Sequence, residues 1–165
     1  TKPDRAAKVF HLWIDHGQQV IDAKAAYFVC MRAAMADVPA WLAYPPVVIH
    51  SNDAAVQAVT DRRDGTTHAF FREGGTLTSS DGKPMITTAA AAAIMWRPTT
   101  VSVTVQDPFA ACTTDAAKLT DTLTATLGTG LQGITAPKEL AVPLPGMNDP
   151  DDRHRGRPVT RKIVP

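Results

Sequence analysis

Three dipeptides that turn a chain back on itself, Asp64-Gly65, Gly74-Gly75 and Asp81-Gly82, follow one another between residues 64 and 82. That spacing leaves room only for short extended segments, because a stable helix needs roughly 10–12 residues of its own periodicity. Short β-prone segments lie where the turns allow them. Residues 47–49 and 55–59 are two, 67–71 follows the Asp64-Gly65 turn, and 76–78 follows the glycine pair. In residues 99–105, Val101, Val103 and Val105 alternate with Ser102 and Thr104, the pattern of a strand with one buried face. Residues 119–127 alternate Leu and Thr in the same way. Many short strands between regular turns predict an all-β protein of sandwich type.

The flanks are less regular. Residues 9–14 form a β-prone run that stops at the turn Asp15-His16-Gly17, and residues 25–31, centred on Tyr27-Phe28-Val29, read as its partner strand. Asp37 is placed to cap a short helix with Pro39 in its first turn and with Trp41 and Leu42 facing inward. Pro45-Pro46 ends that pattern and marks the expected domain boundary. The alanine run inside residues 85–96 has strong helix propensity. β-formers flank it and turns crowd it, so one buried strand is expected across the whole stretch. Beyond Gly128 the chain is rich in Pro and Gly; 143–146 and 148–152 read as exposed loop and 158–164 as a final edge strand.

Lys plus Arg number 17 against 16 Asp plus Glu, a formal charge of +1. So balanced a chain makes no electrostatic case for nucleic acid or an anionic membrane as partner. No apolar run approaches the ~18 residues of a membrane-crossing helix. The N-terminus opens Thr1-Lys2-Pro3 with no starting Met and no signal-peptide layout, which suggests a piece of a longer chain. Cys30 and Cys112 lie far apart with no C-x-x-C spacing; two buried thiols are the simpler reading, and a disulfide between them stays open. His11, Asp15 and His16 could suggest a metal. On a strand, however, His16 faces away from the other two, so turn chemistry is the better reading and no metal or cofactor is expected. No serine sits in a Gly-x-Ser-x-Gly elbow, and neither phosphate loops nor paired catalytic carboxylates stand out.

Residues 13–29, Trp-Ile-Asp-His-Gly through Tyr-Phe-Val, resemble a stretch near the C-terminus of the hyaluronate/chondroitin/xanthan lyase family of bacterial polysaccharide lyases. There a strand ending in His-Gly leads through a loop to a second strand carrying Tyr-x-Tyr. His16, Gly17, Ala23 and Tyr27 match; Val20 stands in place of a usual Pro, Ala25 in place of the first Tyr, and Met31 in place of the closing Pro. Residues 48–59 are similar to the first strand pair of the family's C-terminal domain. Residues 99–109, with Gln106-Asp107-Pro108, are similar to a strand that closes on a Ser-Asp-Pro-Thr type turn.

The resemblance implies a secreted or periplasmic bacterial enzyme built of an α-helical toroid, a large central β-sandwich and a small C-terminal one. Such enzymes cleave uronic-acid-containing polysaccharide by β-elimination. A Tyr and a His take the proton, and an Asn and an Arg stabilise the developing charge. Those groups come mainly from the toroid, and none of their motifs can be placed in this chain. The expectation is therefore the end of a large antiparallel β-sandwich, residues 1–44, followed by a small C-terminal β-sandwich, residues 45–165. The missing toroid and central domain would be its partners, an anionic polysaccharide the substrate, and its own role non-catalytic. The alternative is an independent carbohydrate-binding module.

The residues singled out follow from these two readings. His16, Gly17, Tyr27, Asp107 and Pro108 carry the family pattern as structural positions, with Tyr27 expected in a core. His16, Trp96 and Arg97 are candidate sugar contacts. Trp13, Trp41 and Trp96 each sit in an apolar run and are expected to be buried, Trp96 being the most open of the three. The basic cluster Arg153-His154-Arg155-Gly156-Arg157 follows the acidic residues 149–152 and reads as a solvated loop.

Overall fold

The structure is a computed structural model, and it describes residues 18, 21, 25, 27, 34–110, 121–145 and 156–163. The chain divides into two compact units, residues 1–30 and 31–165. Four residues of the first unit are described, Gln18, Ile21, Ala25 and Tyr27, all of them exposed. His11, Trp13, Asp15, His16, Gly17, Cys30 and Cys112 lie outside the described residues, as do Arg153, His154 and Arg155.

The second unit opens with a single 3-10 turn, Met35–Asp37, that runs into a short helix α1, Val38–Ala43. Pro39 occupies the first turn, where its missing N–H costs nothing. Asp37 sits at the N-cap position but makes no capping bond there; its carboxylate instead accepts the Ala34 N–H at 3.3 Å. Nor do both apolar side chains turn inward: Trp41 is half-buried, whereas Leu42 is exposed, since six residues make too short a helix to bury a full stripe.

Ten strands follow among the described residues, nearly all where short alternating runs predict them. They are β1 (Val47–Asn52), β2 (Val56–Asp61), β3 (Thr67–Phe71), β4 (Gly75–Thr78), β5 (Pro84–Thr88), β6 (Ala92–Arg97), β7 (Ser102–Gln106), β8 (Thr122–Leu127), β9 (Lys138–Pro143) and β10 (Val159–Lys162). Every pairing is antiparallel, in a six-stranded sheet ordered β1-β2-β3-β6-β7-β10 and a four-stranded sheet ordered β4-β5-β8-β9. Gly65 closes the β2–β3 hairpin at φ 73, a left-handed conformation that a Cβ would strain.

The inner faces of the two sheets supply one core. Phe71, Ile94, Trp96, Val103 and Val105 come from the larger sheet, Leu77, Ile86, Leu123, Leu127 and Val142 from the smaller. Each such side chain contributes about 1.5–3 kcal/mol on burial. The fold is thus all-β, two antiparallel sheets packed face to face.

Four expectations are corrected. Residues 85–96 are not one strand: β5 belongs to the four-stranded sheet and β6 to the six-stranded one, and the chain crosses between layers at residues 89–91. The Thr88 hydroxyl donates to the Ala90 carbonyl at 3.1 Å, satisfying a backbone acceptor that the break leaves out of the ladder. Val101 is outside the strand it was read into. It sits in the β6–β7 turn at φ 46, and β7 begins at Ser102. The Pro- and Gly-rich stretch after Gly128 contains β9, whose Val142 joins the core, and Leu144 just after it is buried rather than exposed. Tyr27 is 74% exposed; the buried cluster runs from Ala58 to Ile163 and does not include it.

Candidate functional site

A two-layer sandwich leaves each sheet one outward face, and the outer face of the six-stranded sheet is built by strict alternation. In β3 and β6, Thr67, Ala69, Phe71, Ile94 and Trp96 point inward, so His68, Phe70, Ala93, Met95 and Arg97 point out. Cross-strand register then lays outward residues in rows. One row runs Ile49, Val59, His68, Met95, Thr104, Thr160 from β1 to β10. A second runs Gln57, Phe70, Ala93, Gln106, and a third places the exposed Arg97 and Lys162 on either side of Ser102, which is itself buried, across β6, β7 and β10.

The face changes in character across the sheet. Toward β1 it is mixed: Ile49 is 48% and Phe70 37% exposed, with Val59 half-buried between their strands, and the polar Gln57 and His68 are exposed beside them. Toward β10 it carries hydroxyls and cations. The Thr104 and Thr160 hydroxyls lie 2.8 Å apart, and Arg97 and Lys162 are exposed.

Electrostatics at the end of this sheet separate committed charges from open ones. Hydrogen bonds from Arg63 hold the Asp61 carboxyl down at about 2, through a 2.5 Å contact between Arg63 Nη2 and Asp61 Oδ2. Arg62 stacks over the Tyr44 ring, 4.4 Å from its centroid, and its Nη1 donates to the Tyr44 hydroxyl at 3.0 Å. At the opposite end of the molecule's sequence of turns, bonds from Lys83 and Ser79 hold Asp81 at about 2. These pairs settle turns rather than prepare chemistry.

One polar chain enters the sandwich from β1. His50, the residue at the β1 bulge, shares a 2.8 Å hydrogen bond between Nε2 and the Thr60 hydroxyl, which lies 2.8 Å from the buried Thr67 hydroxyl. Burial lowers the His50 pKa by disfavouring the imidazolium. The chain ends on Thr67, directly paired with Trp96, so it satisfies buried hydroxyls and reaches no cleft.

Of the candidate sugar contacts, Trp96 is fully buried, as its apolar run predicts, and it is less open than the half-buried Trp41 rather than more so. Its Nε1 donates to the Gln132 carbonyl at 3.0 Å, and a sugar ring has no access to it. Arg97, next along the strand, faces solvent. Asp107 is buried at the end of β7, and its carboxylate accepts the Phe109 N–H at 2.8 Å, with Pro108 between them. That is the chemistry of a tight turn, in keeping with a structural position. The outward rows were missed from sequence because each strand's alternation is visible while its neighbours are not. Thr104 and Thr160 stand 56 positions apart.

Among the described residues, no group of three or more His, Cys, Asp or Glu is placed to hold a metal ion. None of the described helices is long and apolar enough to cross a membrane.

No curated protein and no solved structure matches the chain. Residues 49–115 match the model of polysaccharide lyase family 8, C-terminal beta-sandwich domain, a span that takes in β2 to β7 and most of β1. Together with the two-sheet architecture, this match over residues 49–115 supports a C-terminal region of a family 8 polysaccharide lyase.

Proposed function

We propose that this chain is the non-catalytic C-terminal β portion of an enzyme that cleaves uronic-acid-containing polysaccharide, glycosaminoglycan-like or xanthan-like, by β-elimination. In that reaction a base removes the proton beside the uronate carboxyl, the glycosidic oxygen leaves from the neighbouring carbon, and a double bond forms between the two. The base and the charge-stabilising groups belong to the α-helical toroid, outside this chain. The last strands of the central sandwich lie within residues 1–44, and residues 45–165 form the small C-terminal domain, whose role is to brace the toroid. The parent enzyme acts outside the cytoplasm, secreted or periplasmic.

One observation carries the division of labour. Among the described residues before β1, large apolar side chains are left in solvent in each unit: Ile21 at 87% and Tyr27 at 74% in the first, Met35 at 85%, Leu42 at 73% and Tyr44 at 66% in the second. Soluble surfaces tolerate scattered apolar residues, but exposed sets this dense fit surfaces that another body covers. The toroid and the central β-domain of the same enzyme are that body.

The test is a β-elimination assay that follows ultraviolet absorbance of the unsaturated uronide product. The chain alone is expected to be inactive, and activity is expected on mixing it with the N-terminal remainder of its parent. Turnover by the chain alone overturns the assignment.

A further inference from the structure

The β10 side of the outer face gathers cations: β6 ends in Arg97 and β10 carries Lys162, while the whole chain is almost neutral at +1. Arg97 and Lys162 flank Ser102 on the outward side, which sets their Cα atoms about 10 Å apart, two strand spacings. Among the described residues neither has an ion-pair partner, in contrast to Arg63 and Lys83, which are both committed. Arg161, also exposed, pairs with core-facing Val103 and so lies on the other side of the edge strand. Beside the cations the Thr104–Thr160 hydroxyl pair is exposed, and Met95 offers an apolar shelf in the same row.

We infer that this strip, Arg97, Lys162, Thr104 and Thr160 with Met95, is a contact surface for an extended acidic polysaccharide. The inference builds on the functional reading above and adds the place where this domain meets the polymer. An acidic glycan presents carboxylates, hydroxyls and apolar ring faces in alternation along a flexible chain. The strip offers cations, hydroxyls and a thioether on a flat strand surface. A nucleic acid duplex is the poorer fit, because its affinity comes from many phosphate contacts and this strip holds few cations. The cations also guard an edge strand against pairing with another chain, and that role alone would not require the exposed hydroxyl pair in the neighbouring row.

The test uses the full chain. Its migration is compared in native gels containing hyaluronan, neutral dextran or no polymer, with competition by a short DNA duplex. Retardation by hyaluronan and not by dextran is expected, weakening as salt is raised. The double variant R97A/K162A is expected to bind about tenfold more weakly with an unchanged circular dichroism spectrum, since two exposed charge contacts are lost. Lys83→Ala, in the β4–β5 turn, is expected to leave binding unchanged. No retardation of the unaltered chain, equal retardation of the double variant, or preferential binding of the duplex overturns the inference. Reconstituted lyase activity with no polymer binding by this chain would overturn the strip alone and leave the functional reading standing.

Discussion

Single residues here are legible in proportion to how local their duties are. The Asp107 carboxylate bonds an amide two residues on, so the sequence Asp107-Pro108 declares a turn by itself. Trp96 is the opposite case: its apolar neighbours predict burial, but the Gln132 carbonyl that satisfies its indole is 36 positions away. Trp96→Ala is expected to cost about 3–5 kcal/mol in urea unfolding, because it empties the largest buried site and orphans that carbonyl. Val101 stores strain, a β-branched residue at φ 46. Val101→Gly is expected to be neutral or to stabilise by up to about 1 kcal/mol, against the usual sign for glycine, and the same unfolding curve measures it.

His50 gives the molecule a pH dependence whose sign is fixed. Its folded pKa lies below the 6.5 of the free side chain, so the unfolded chain takes up the proton first as pH falls. Its contribution is intact above pH 6.5 and declines below it until the folded form also protonates. His50→Gln is expected to flatten the stability profile just below that pH. Chemical denaturation between neutral and mildly acidic pH reads it.

At the scale of elements, alternation and tight turns make β1 to β4, β7 and β8 readable, because those signals are local. Layer assignment is not local. Nothing in residues 85–96 says that β5 and β6 lie in different sheets; three-dimensional closure forces the crossing, and the small side chains at 89–91 permit it. β9 was hidden by its Pro- and Gly-rich surroundings, although Leu140 and Val142 already show the period of two. The β8 exit presses directly on β5: Gly128 donates to the Met85 carbonyl at 2.8 Å, and a Cβ there would meet the Pro84 carbonyl oxygen at 2.2 Å. Gly128→Ala must therefore push two backbones apart. It is expected to destabilise by more than about 1 kcal/mol, whereas Gly82→Ala meets nothing within 4 Å and bears only its positive φ. Comparing the two thermal midpoints separates contact from conformation.

For the whole molecule, the match over residues 49–115 and the two-sheet core support a C-terminal β-sandwich region of a family 8 polysaccharide lyase. Sequence reading placed the family pattern on His16, Gly17, Tyr27, Asp107 and Pro108. The outer-face rows that join β1 to β10 could be read only once the register was known. The gathering of Arg97 and Lys162 near β10 is a property of the sheet, not of any strand in it.

The central claim, that the segment before β1 is completed by the rest of the enzyme, is tested most directly by hydroxyl-radical footprinting. Tyr27, Met35, Leu42 and Tyr44 are followed in this chain alone and after addition of the N-terminal remainder. The account predicts strong labelling of all four alone and marked protection in the complex, with Glu73, exposed on the β3–β4 turn, labelled equally in both. Equal labelling of the four residues in both states would contradict it.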